Sequence, residues 1–228
     1  MKHTLSLVAS LLLTGCVSTN IAPLPADSTA GMAGKTLAYS TRKLPDFAAV
    51  TAGKAGFGMI GGAAMISAGN GIVKENQIED PANFIRGELA TALATSYNLR
   101  VIEIPDAIAE GSDVTKLAAA HKQADVLLDV QTVNWSFAYF PTDWNSYRVI
   151  YSVKLRLIET GSAKLLAEGF CARVPDKTPE SPSRDQLLAN GAERLKAELH
   201  SEAEWCVTEL KSKVLNIEVP ASAVSTAS

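Results

Sequence analysis

The chain contains few of the residues on which most enzymes and metal sites depend. Its 228 residues include three histidines and three cysteines. Beyond His3, the histidines are His121 and His200, and neither belongs to a group of histidines and cysteines at metal-ligand spacing. The sequence also has no nucleophile elbow, phosphate loop or metalloprotease motif. We therefore predict no catalytic residues, no metal, no cofactor and no enzymatic activity.

Charge of one sign and long apolar runs are scarce as well. The 21 Lys and Arg residues nearly balance the 24 Asp and Glu residues, which leaves a formal net charge of −3. Nucleic-acid binding ordinarily requires clustered positive charge, so no nucleic-acid partner is predicted. The apolar run over residues 5–13 has about half of the ~20 residues that a transmembrane helix needs. A membrane-spanning anchor is therefore not predicted for this run.

The first sixteen residues follow the pattern of a bacterial lipoprotein signal peptide. Lys2 precedes the apolar run, which ends in Leu13-Thr14-Gly15-Cys16 and resembles a lipobox. The resemblance implies cleavage before Cys16, a diacylglyceryl thioether on its sulfur and an acyl chain, such as palmitate, on its new amino group. Two or more acyl chains hold a protein stably on a membrane. Cys16 is therefore the predicted lipid anchor.

The residues after Cys16 predict the location of the protein and its domain boundaries. In known lipoproteins an aspartate in the next position favours retention in the inner membrane, and here Val17 and Ser18 follow. By that resemblance we expect a protein that is lipid-anchored to the outer membrane and faces the periplasm. We assign residues 1–15 to the signal peptide, 16–33 to the lipidated cysteine and a flexible tether, 34–216 to a single periplasmic α/β domain and 217–228 to a disordered tail.

Hydrophobic periodicity predicts an α/β domain of the α+β type. A helix begins at Asp80-Pro81, and strands cover residues 126–130, 147–158 and 165–172, the last two joined by a tight turn. Ser183 caps a long final helix. The apolar stripe of that helix consists of Leu188, Leu195, Leu199, Cys206 and Leu210. We expect a mixed sheet with an antiparallel C-terminal hairpin, helices packed on it and a long C-terminal helix.

Two segments resemble a group of periplasmic lipoprotein domains. Residues 124–130 (ADVLLDV) lead from a helix into a buried strand, and residues 153–161 (VKLRLIETG) form a strand of alternating apolar residues that ends in an acidic residue, Thr and Gly. Both are similar to segments of the curli-secretion-channel family, the lipoprotein activators of penicillin-binding proteins and the amino-terminal domain of the Tol-system propeller protein. The resemblance covers about residues 80–172 and implies the fold, but it transfers no binding residue. Curli-type channels insert strand hairpins into the membrane, and no matching pair of strands is predicted here.

Residues 55–73 form an uncharged apolar segment that contains six glycines. Gly56, Gly58 and Gly61 match the spacing of the dinucleotide fingerprint, but no convincing strand precedes them, so cofactor binding is not predicted. Six glycines weaken a helix by on the order of 6 kcal/mol relative to alanine. Three alternatives stay open: a glycine-rich turn packed on its own domain, a membrane or oligomer contact, or a mobile segment. The candidates for a membrane or oligomer contact are Phe57, Gly58, Ile60, Gly62 and Ile66, with GxxxG spacing between the two glycines.

Aromatic residues are concentrated in one short region of the chain. Six of the 14 aromatic residues lie between positions 135 and 147. Exposed Trp and Tyr side chains dominate the energetics of protein interfaces, whereas aromatic pairs across strands stiffen a hairpin. Cross-strand pairing is the favoured interpretation, and partner binding is the alternative. The partner-binding candidates are Trp135, Phe137, Tyr139, Phe140, Trp144 and Tyr147.

Two cysteines and a row of basic residues complete the candidate features. Cys171 ends a predicted strand and Cys206 lies on the apolar face of the last helix, so in an oxidising compartment we expect a disulfide, with two buried thiols as the alternative. Arg148, Lys154 and Arg156 share one face of a strand. Such rows are usually solvated or paired with acidic residues, and no anion site is predicted there.

These observations favour two hypotheses for function. The first is a non-catalytic outer-membrane lipoprotein that serves as a protein-interaction or accessory module in cell-envelope assembly, secretion or cell-wall synthesis, with an unidentified envelope protein as partner. The second is a homo-oligomeric, membrane-associated assembly or channel component that uses the glycine-rich segment.

Overall fold

A computed structural model of the chain describes residues 21–104 and 108–219. Cys16 and its lipid therefore lie outside the described residues. The helices are α1 (Ala26–Thr29), α2 (Ala52–Ala55), α3 (Gly58–Glu75), α4 (Pro81–Tyr97), α5 (Val114–Ala120) and α6 (Arg184–Lys213). The strands are β1 (Thr36–Tyr39), β2 (Ala48–Val50), β3 (Arg100–Val101), β4 (Val126–Phe140), β5 (Asp143–Glu159) and β6 (Lys164–Arg173).

The six strands form one mixed sheet in the order β3-β1-β4-β5-β6, with β2 also paired to β4. β1 and β2 run parallel to β4, beside its first and last thirds respectively. β4, β5 and β6 are antiparallel neighbours. The predicted fold class, a mixed sheet with an antiparallel C-terminal hairpin and a long final helix, is confirmed.

One face of the sheet carries the main hydrophobic core. The alternation predicted for β5 holds, since Val149, Tyr151, Val153, Leu155 and Leu157 are all buried. α4 and α6 pack against each other and against this face. The opposite face is covered in part by α5, where Leu117 and Ala118 meet Leu127 and Ile158 in a second, smaller cluster. The sheet is therefore buried over part of both faces.

Local sequence signals fix the starts of the two core helices. Asp80 caps α4, because its Oδ1 accepts a hydrogen bond from the Ala82 amide at 2.9 Å and proline occupies the first helical position. At α6, Ser183 and Gln186 form a reciprocal capping box. Both helix starts were predicted and both are confirmed.

The long helix α6 is interrupted, which the sequence did not predict. Residues 189–192 leave helical geometry, and Gly191 adopts a φ of 70°. The break changes the helical phase, so Leu187 is fully buried while Leu188 is only half-buried. After the break, the predicted stripe of Leu195, Leu199, Cys206 and Leu210 is buried.

The predicted tether is wrong for residues 22–32, which pack on the domain. Ala22 forms two backbone hydrogen bonds with Glu168 of β6, and Leu24 donates its amide to the carbonyl of Val214 at 2.7 Å. Leu24 and Met32 are buried in the main core. At the other end, Ile217 of the predicted tail is also buried and bonded to Lys211. Composition alone suggested flexibility because it does not reveal these tertiary contacts.

The predicted disulfide joins Cys171 of β6 to Cys206 of α6. The bond ties the last strand of the sheet to the helix that covers it, across a sequence separation of 35 residues. The alternative of two buried thiols is therefore wrong.

Candidate functional site

Two exposed features lie at the same end of the sheet. The first is the hairpin end, which we define as the tight turn at Pro141-Thr142 with the first residues of β5, including Trp144. The second is the apolar tip, defined as Phe57, Met59 and Ile60. β2 ends at Val50, which pairs with Ala138 only two residues before the end of β4, and α2 follows directly.

α3 then runs back along the sheet from this end. Its residue Gly69 contacts Phe47, which directly precedes β2. The chain continues to Asp80, which accepts a hydrogen bond from Thr132, a residue of β4 farther from the hairpin end. The N-terminus of α3 is therefore the part of this helix that lies nearest to the hairpin end. Both exposed features consequently project from one end of the molecule.

Most of the predicted aromatic partner site is core. Trp135, Phe137, Phe140 and Tyr147 are buried, and Tyr139 is half-buried. Phe137 packs edge-on against Tyr147 with ring centroids 5.7 Å apart, and Phe47 from the loop before β2 packs edge-on against Trp135 at 5.1 Å. Burial argues against partner binding by the first four of these residues, whereas Tyr139 stays a predicted contact. The favoured interpretation, cross-strand aromatic packing, describes them.

Trp144 is the exception in this aromatic cluster. Its side chain is 66% exposed, and the residue lies at a register shift where Phe140 pairs with Asp143 while Tyr139 pairs with Tyr147. The extra residues of β5 have no partners on β4, so Trp144 is freed from the alternation that buries its neighbours. The hairpin end thus presents one large, exposed aromatic side chain.

Polar contacts fix the hairpin end around Trp144. Asp143 pairs with Lys177 at 2.7 Å and accepts a hydrogen bond from Ser146 at 2.7 Å. These two contacts and the amide of Asn145 lower the pKa of Asp143 to about 2. On the neighbouring strand face, the guanidinium of Arg148 lies over the Phe140 ring at 5.1 Å. An exposed tryptophan within a polar, ordered rim has the composition of a protein-binding hot spot.

The glycine-rich segment is a helix over most of its length, which corrects the expectation of a turn. Gly61 and Gly69 make this helix possible, because they let it pack closely on its own domain. A Cβ at Gly61 would lie 2.1 Å from the Lys54 carbonyl oxygen, and one at Gly69 would lie 2.0 Å from the Phe47 carbonyl oxygen. Gly58 and Gly62, the predicted GxxxG pair, face open space. Five of the six glycines lie in α3, and close packing at Gly61 and Gly69 helps to offset their helix penalty.

The outward face of α2 and α3 is apolar and unpartnered within the described residues. Phe57 is 71% exposed, Met59 93% and Ile60 81%. Every exposed residue from position 55 to 67 is Gly, Ala, Ser, Phe, Met or Ile. Ile66, also a predicted contact residue, is 38% exposed and continues this face. Met59 was missed as a candidate, although its position inside the uncharged run was a usable signal.

The apolar tip is energetically significant. Burying one such large side chain contributes about 1.5–3 kcal/mol, so three neighbouring ones represent up to roughly 5–9 kcal/mol of unrealised burial. Contiguous exposed apolar patches mark protein or membrane contacts more often than single exposed residues do. The tip is therefore a candidate contact surface, distinct in chemistry from the polar rim around Trp144.

Two members of the basic row on β5, Lys154 and Arg156, are neutralised within the domain, whereas Arg148 bonds the carbonyl of Pro175. Asp129 of β4 is fully buried and pairs with Arg156 at 2.7 Å and with Arg42 at 2.8 Å. Glu168 pairs with Lys154 at 3.0 Å. These contacts satisfy the cations internally, as expected from the sequence. The sequence showed the cations but not the buried acid between them.

A cavity of about 260 Å³ lies beside this ion cluster, lined by Arg42, Asp80, Gln131 and Thr132 among others. Burial raises the pKa of the Asp80 carboxyl, against hydrogen bonds from Thr132 and the Ala82 amide. The arginine of the cavity wall is already bidentate to Asp129. Asp80 acts as the cap of α4, and Lys43 and Glu110 of the lining pair with each other at 2.9 Å.

Neither a metal site nor a membrane-spanning helix is found in the part of the chain that the structure describes. In residues 21–104 and 108–219, no three His, Cys, Asp or Glu side chains come close enough to hold a metal ion. His121 is buried with its Nδ1 2.8 Å from the Leu117 carbonyl oxygen, and His200 packs against Phe84. Within the same ranges, none of the helices has the length and apolar character required to cross a bilayer.

No family model matches the sequence, and no curated protein is significantly similar to it. Solved structures with a similar fold include the C-terminal domain of LpoB from Salmonella enterica, at 13% identity and a TM-score of 0.32, covering 63% of this chain and 85% of that one. Another is the PelC dodecamer from Paraburkholderia phytofirmans, at 13% identity and a TM-score of 0.31, with 81% and 94% covered.

A third similar structure is the lipoprotein GNA1162 from Neisseria meningitidis, at 13% identity and a TM-score of 0.31, covering 60% of this chain and 81% of that one. At TM-scores of 0.31–0.32 these similarities carry no conclusion about the function of this protein.

Proposed function

We propose that this protein is a lipid-anchored, non-catalytic lipoprotein of the outer membrane that binds another cell-envelope protein through its hairpin end. The lipid on Cys16 sets the location, and the α/β domain presents the binding surface. The proposed role is that of an accessory module in envelope assembly, secretion or cell-wall synthesis.

The exposure of Trp144 is the observation that carries this proposal. A tryptophan that is 66% exposed gains much from burial in a partner, and its backbone is held in place by the Asp143–Lys177 ion pair. Order before binding matters, because a surface that is already fixed loses little conformational entropy on association. The surrounding Asn145, Ser146 and Arg148 offer hydrogen-bond partners for a polar rim.

The test is crosslinking of the full-length lipoprotein in intact cells, followed by purification and identification of the captured protein. Trp144→Ala should reduce capture of a discrete envelope partner at least tenfold, since hot-spot truncations cost about 2 kcal/mol or more. Leu44→Ala is a matched control, because Leu44 is a large exposed apolar residue on the loop between β1 and β2.

The control variant should capture the partner like the unmodified protein. Circular dichroism should show that Trp144→Ala leaves the fold intact, because the side chain contributes little to the core. Undiminished capture by Trp144→Ala would remove the hairpin end from the binding surface. Incorporation of radiolabelled palmitate, lost in Cys16→Ser, tests the anchor separately.

The second hypothesis, a homo-oligomeric assembly, is supported by the exposed face of α3 and not by the hairpin end. A self-associating form would bury Phe57, Met59 and Ile60 against a second copy of this chain. That outcome is distinguished by the experiment described for the apolar tip below.

A further inference from the structure

The apolar tip differs from the hairpin end in its neighbours on α2 and α3, since the exposed residues from position 55 to 67 are apolar or small. Lys54 is the basic residue nearest to it in sequence, and its ammonium is bonded to the Ala64 carbonyl oxygen at 3.3 Å. The next charged residues along the chain are Lys74 and Glu75 at the far end of α3, about 24 Å away along the helix axis. Protein interfaces combine apolar anchors with hydrogen-bonding groups, and this surface offers almost none.

A lipid bilayer fits this chemistry better than a protein partner does. Hydrocarbon offers no hydrogen bonds, so a segment that enters it must satisfy its own backbone. From Gly61 onward α3 does so, since Gly61 donates its amide to the Phe57 carbonyl and the later amides bond within the helix. The amides of the first turn lie at an uncapped helix end, so they suit the headgroup level, with the three apolar side chains reaching into the acyl region. The three large side chains at the tip occupy neighbouring positions at one end of the domain, where a membrane surface can reach all of them.

The short length of chain between Cys16 and the described residues also favours a membrane contact for the apolar tip. Four residues lie between Cys16 and Ile21, so the five Cα-to-Cα steps span at most about 18 Å. Ala22 is already bonded to β6, which means that an anchored domain stays close to the bilayer surface. Tethering makes a second contact with the same membrane intramolecular, so even a weak insertion is populated.

We propose that the apolar tip inserts into the membrane leaflet that holds the Cys16 lipid. The domain then has two attachments, the acyl chains beside the β6 edge and the apolar tip beyond β2 on the other side of the sheet. Two attachments orient the sheet relative to the bilayer and hold Trp144 close to the membrane, where it meets a membrane-embedded partner. This inference rests on the proposed lipid anchor.

The test places an environment-sensitive fluorophore at the tip of the full-length lipoprotein in phosphatidylcholine vesicles. Met59→Cys introduces the reactive thiol, since Cys16 is expected to be acylated and Cys171 and Cys206 are joined. Ala197→Cys, exposed on α6, is the matched control. With brominated lipids, the label at position 59 should lose about half of its emission or more, while the label at 197 is unchanged.

Each other outcome has a definite meaning. Equal emission from both labels in brominated and ordinary vesicles overturns the proposal. A blue-shifted label at 59 that brominated lipid does not quench, and that reverts on dilution with lipid, assigns the tip to a second copy of this chain and also overturns it. Protein that fails to float with the vesicles overturns the anchor as well, which separates the two failures.

A second pair of variants tests the tip without relying on the labelled residue for insertion. Phe57→Asp should abolish quenching at position 59, because a carboxylate opposes entry into hydrocarbon. Leu44→Asp adds the same charge at another exposed apolar site and should leave quenching intact. Equal quenching in both variants would contradict insertion of the tip.

Discussion

Among individual residues, Glu202 of α6 stands out as an acidic side chain that folding removes from water. It is buried, and its partner is Arg173 of β6, with Nε 3.2 Å from a carboxylate oxygen. Burial raises the pKa of Glu202 to about 7 despite the attraction of Arg173, and the negative charge of Glu198 adds to the increase. The folded protein therefore binds a proton at this site that the unfolded chain releases.

The pH dependence of stability follows from this difference. A carboxyl group whose pKa is higher in the folded state stabilises the fold through its bound proton. This stabilisation is fully present below the ordinary pKa of 4.5 and is lost as the pH rises through about 7. Between pH 5 and pH 8 we expect the free energy of unfolding to fall by about 1–3 kcal/mol.

Urea denaturation of the full chain across this range measures the effect. Glu202→Gln should remove most of the decrease, because an amide does not titrate. Glu193→Gln, a change at an exposed position of the same helix, should retain it. A decrease that persists in Glu202→Gln would place the responsible group elsewhere.

At the residue scale, sequence reasoning was right where chemistry is local. Asp80 and Ser183 cap helices because their side chains bond amides two or three residues away. For Trp135 and Phe137 it favoured cross-strand packing but left partner binding open, because exposure of an aromatic ring depends on which face of the sheet the rest of the chain covers. Trp144 alone among the six is strongly exposed, owing to a local irregularity of strand pairing that composition does not encode.

Among the elements, α3 shows how close packing stabilises a helix of low propensity. Gly69 and Gly71 are two residues apart in the same helix, but Gly69 faces Phe47 whereas Gly71 faces open space. We expect Gly69→Ala to lower the free energy of unfolding by about 1–3 kcal/mol, because the added methyl group cannot fit. Gly71→Ala should raise it by up to about 1 kcal/mol, since alanine is the better helix former.

Urea denaturation of the two variants, followed by circular dichroism, decides this comparison. Opposite changes confirm that α3 is packed on β2 as a helix. If Gly69→Ala were as stable as Gly71→Ala, the close approach of α3 to Phe47 would be contradicted.

The longer elements of the fold were predictable and the short ones were not. β5 carries a period-two sequence pattern over a dozen residues, so its alternation identifies it, whereas β4 was predicted over residues 126–130 only and extends to Phe140. The three-residue strand β2 gives no such pattern, and it exists because it pairs with Ser136, Phe137 and Ala138 of β4. The break in α6 likewise depends on four residues with non-helical geometry inside a continuous apolar stripe.

For the whole molecule, the disulfide connects the sheet to its covering helix. Closing a loop of 35 residues restricts the unfolded chain and should stabilise the domain by about 4 kcal/mol. The double variant Cys171→Ala/Cys206→Ala should therefore unfold at a clearly lower urea concentration. Reduction of the unmodified protein should reproduce the shift. An unshifted double variant would show that the disulfide does not stabilise the folded domain.

The molecule as a whole also assembles its two contact surfaces. The apolar tip and the hairpin end are separated by about eighty residues of sequence. They lie at the same end of the sheet because β2 runs parallel to β4. The packed segment before β1 shortens the connection to Cys16. The proposals for the partner and for the membrane contact both depend on this arrangement.

The sequence by itself determined the long strand β5 and the helix caps, and it favoured the pairing of Cys171 with Cys206, because each rests on a short pattern or on residue chemistry. The lipoprotein signal remains a prediction from the sequence, since Cys16 lies outside the described residues. Only the tertiary structure decided that residues 22–32 pack on the domain, that α3 is a helix and that Trp144 is exposed while its aromatic neighbours are buried. These outcomes depend on which distant segments come into contact, and burial is a property of such contacts rather than of the local chain.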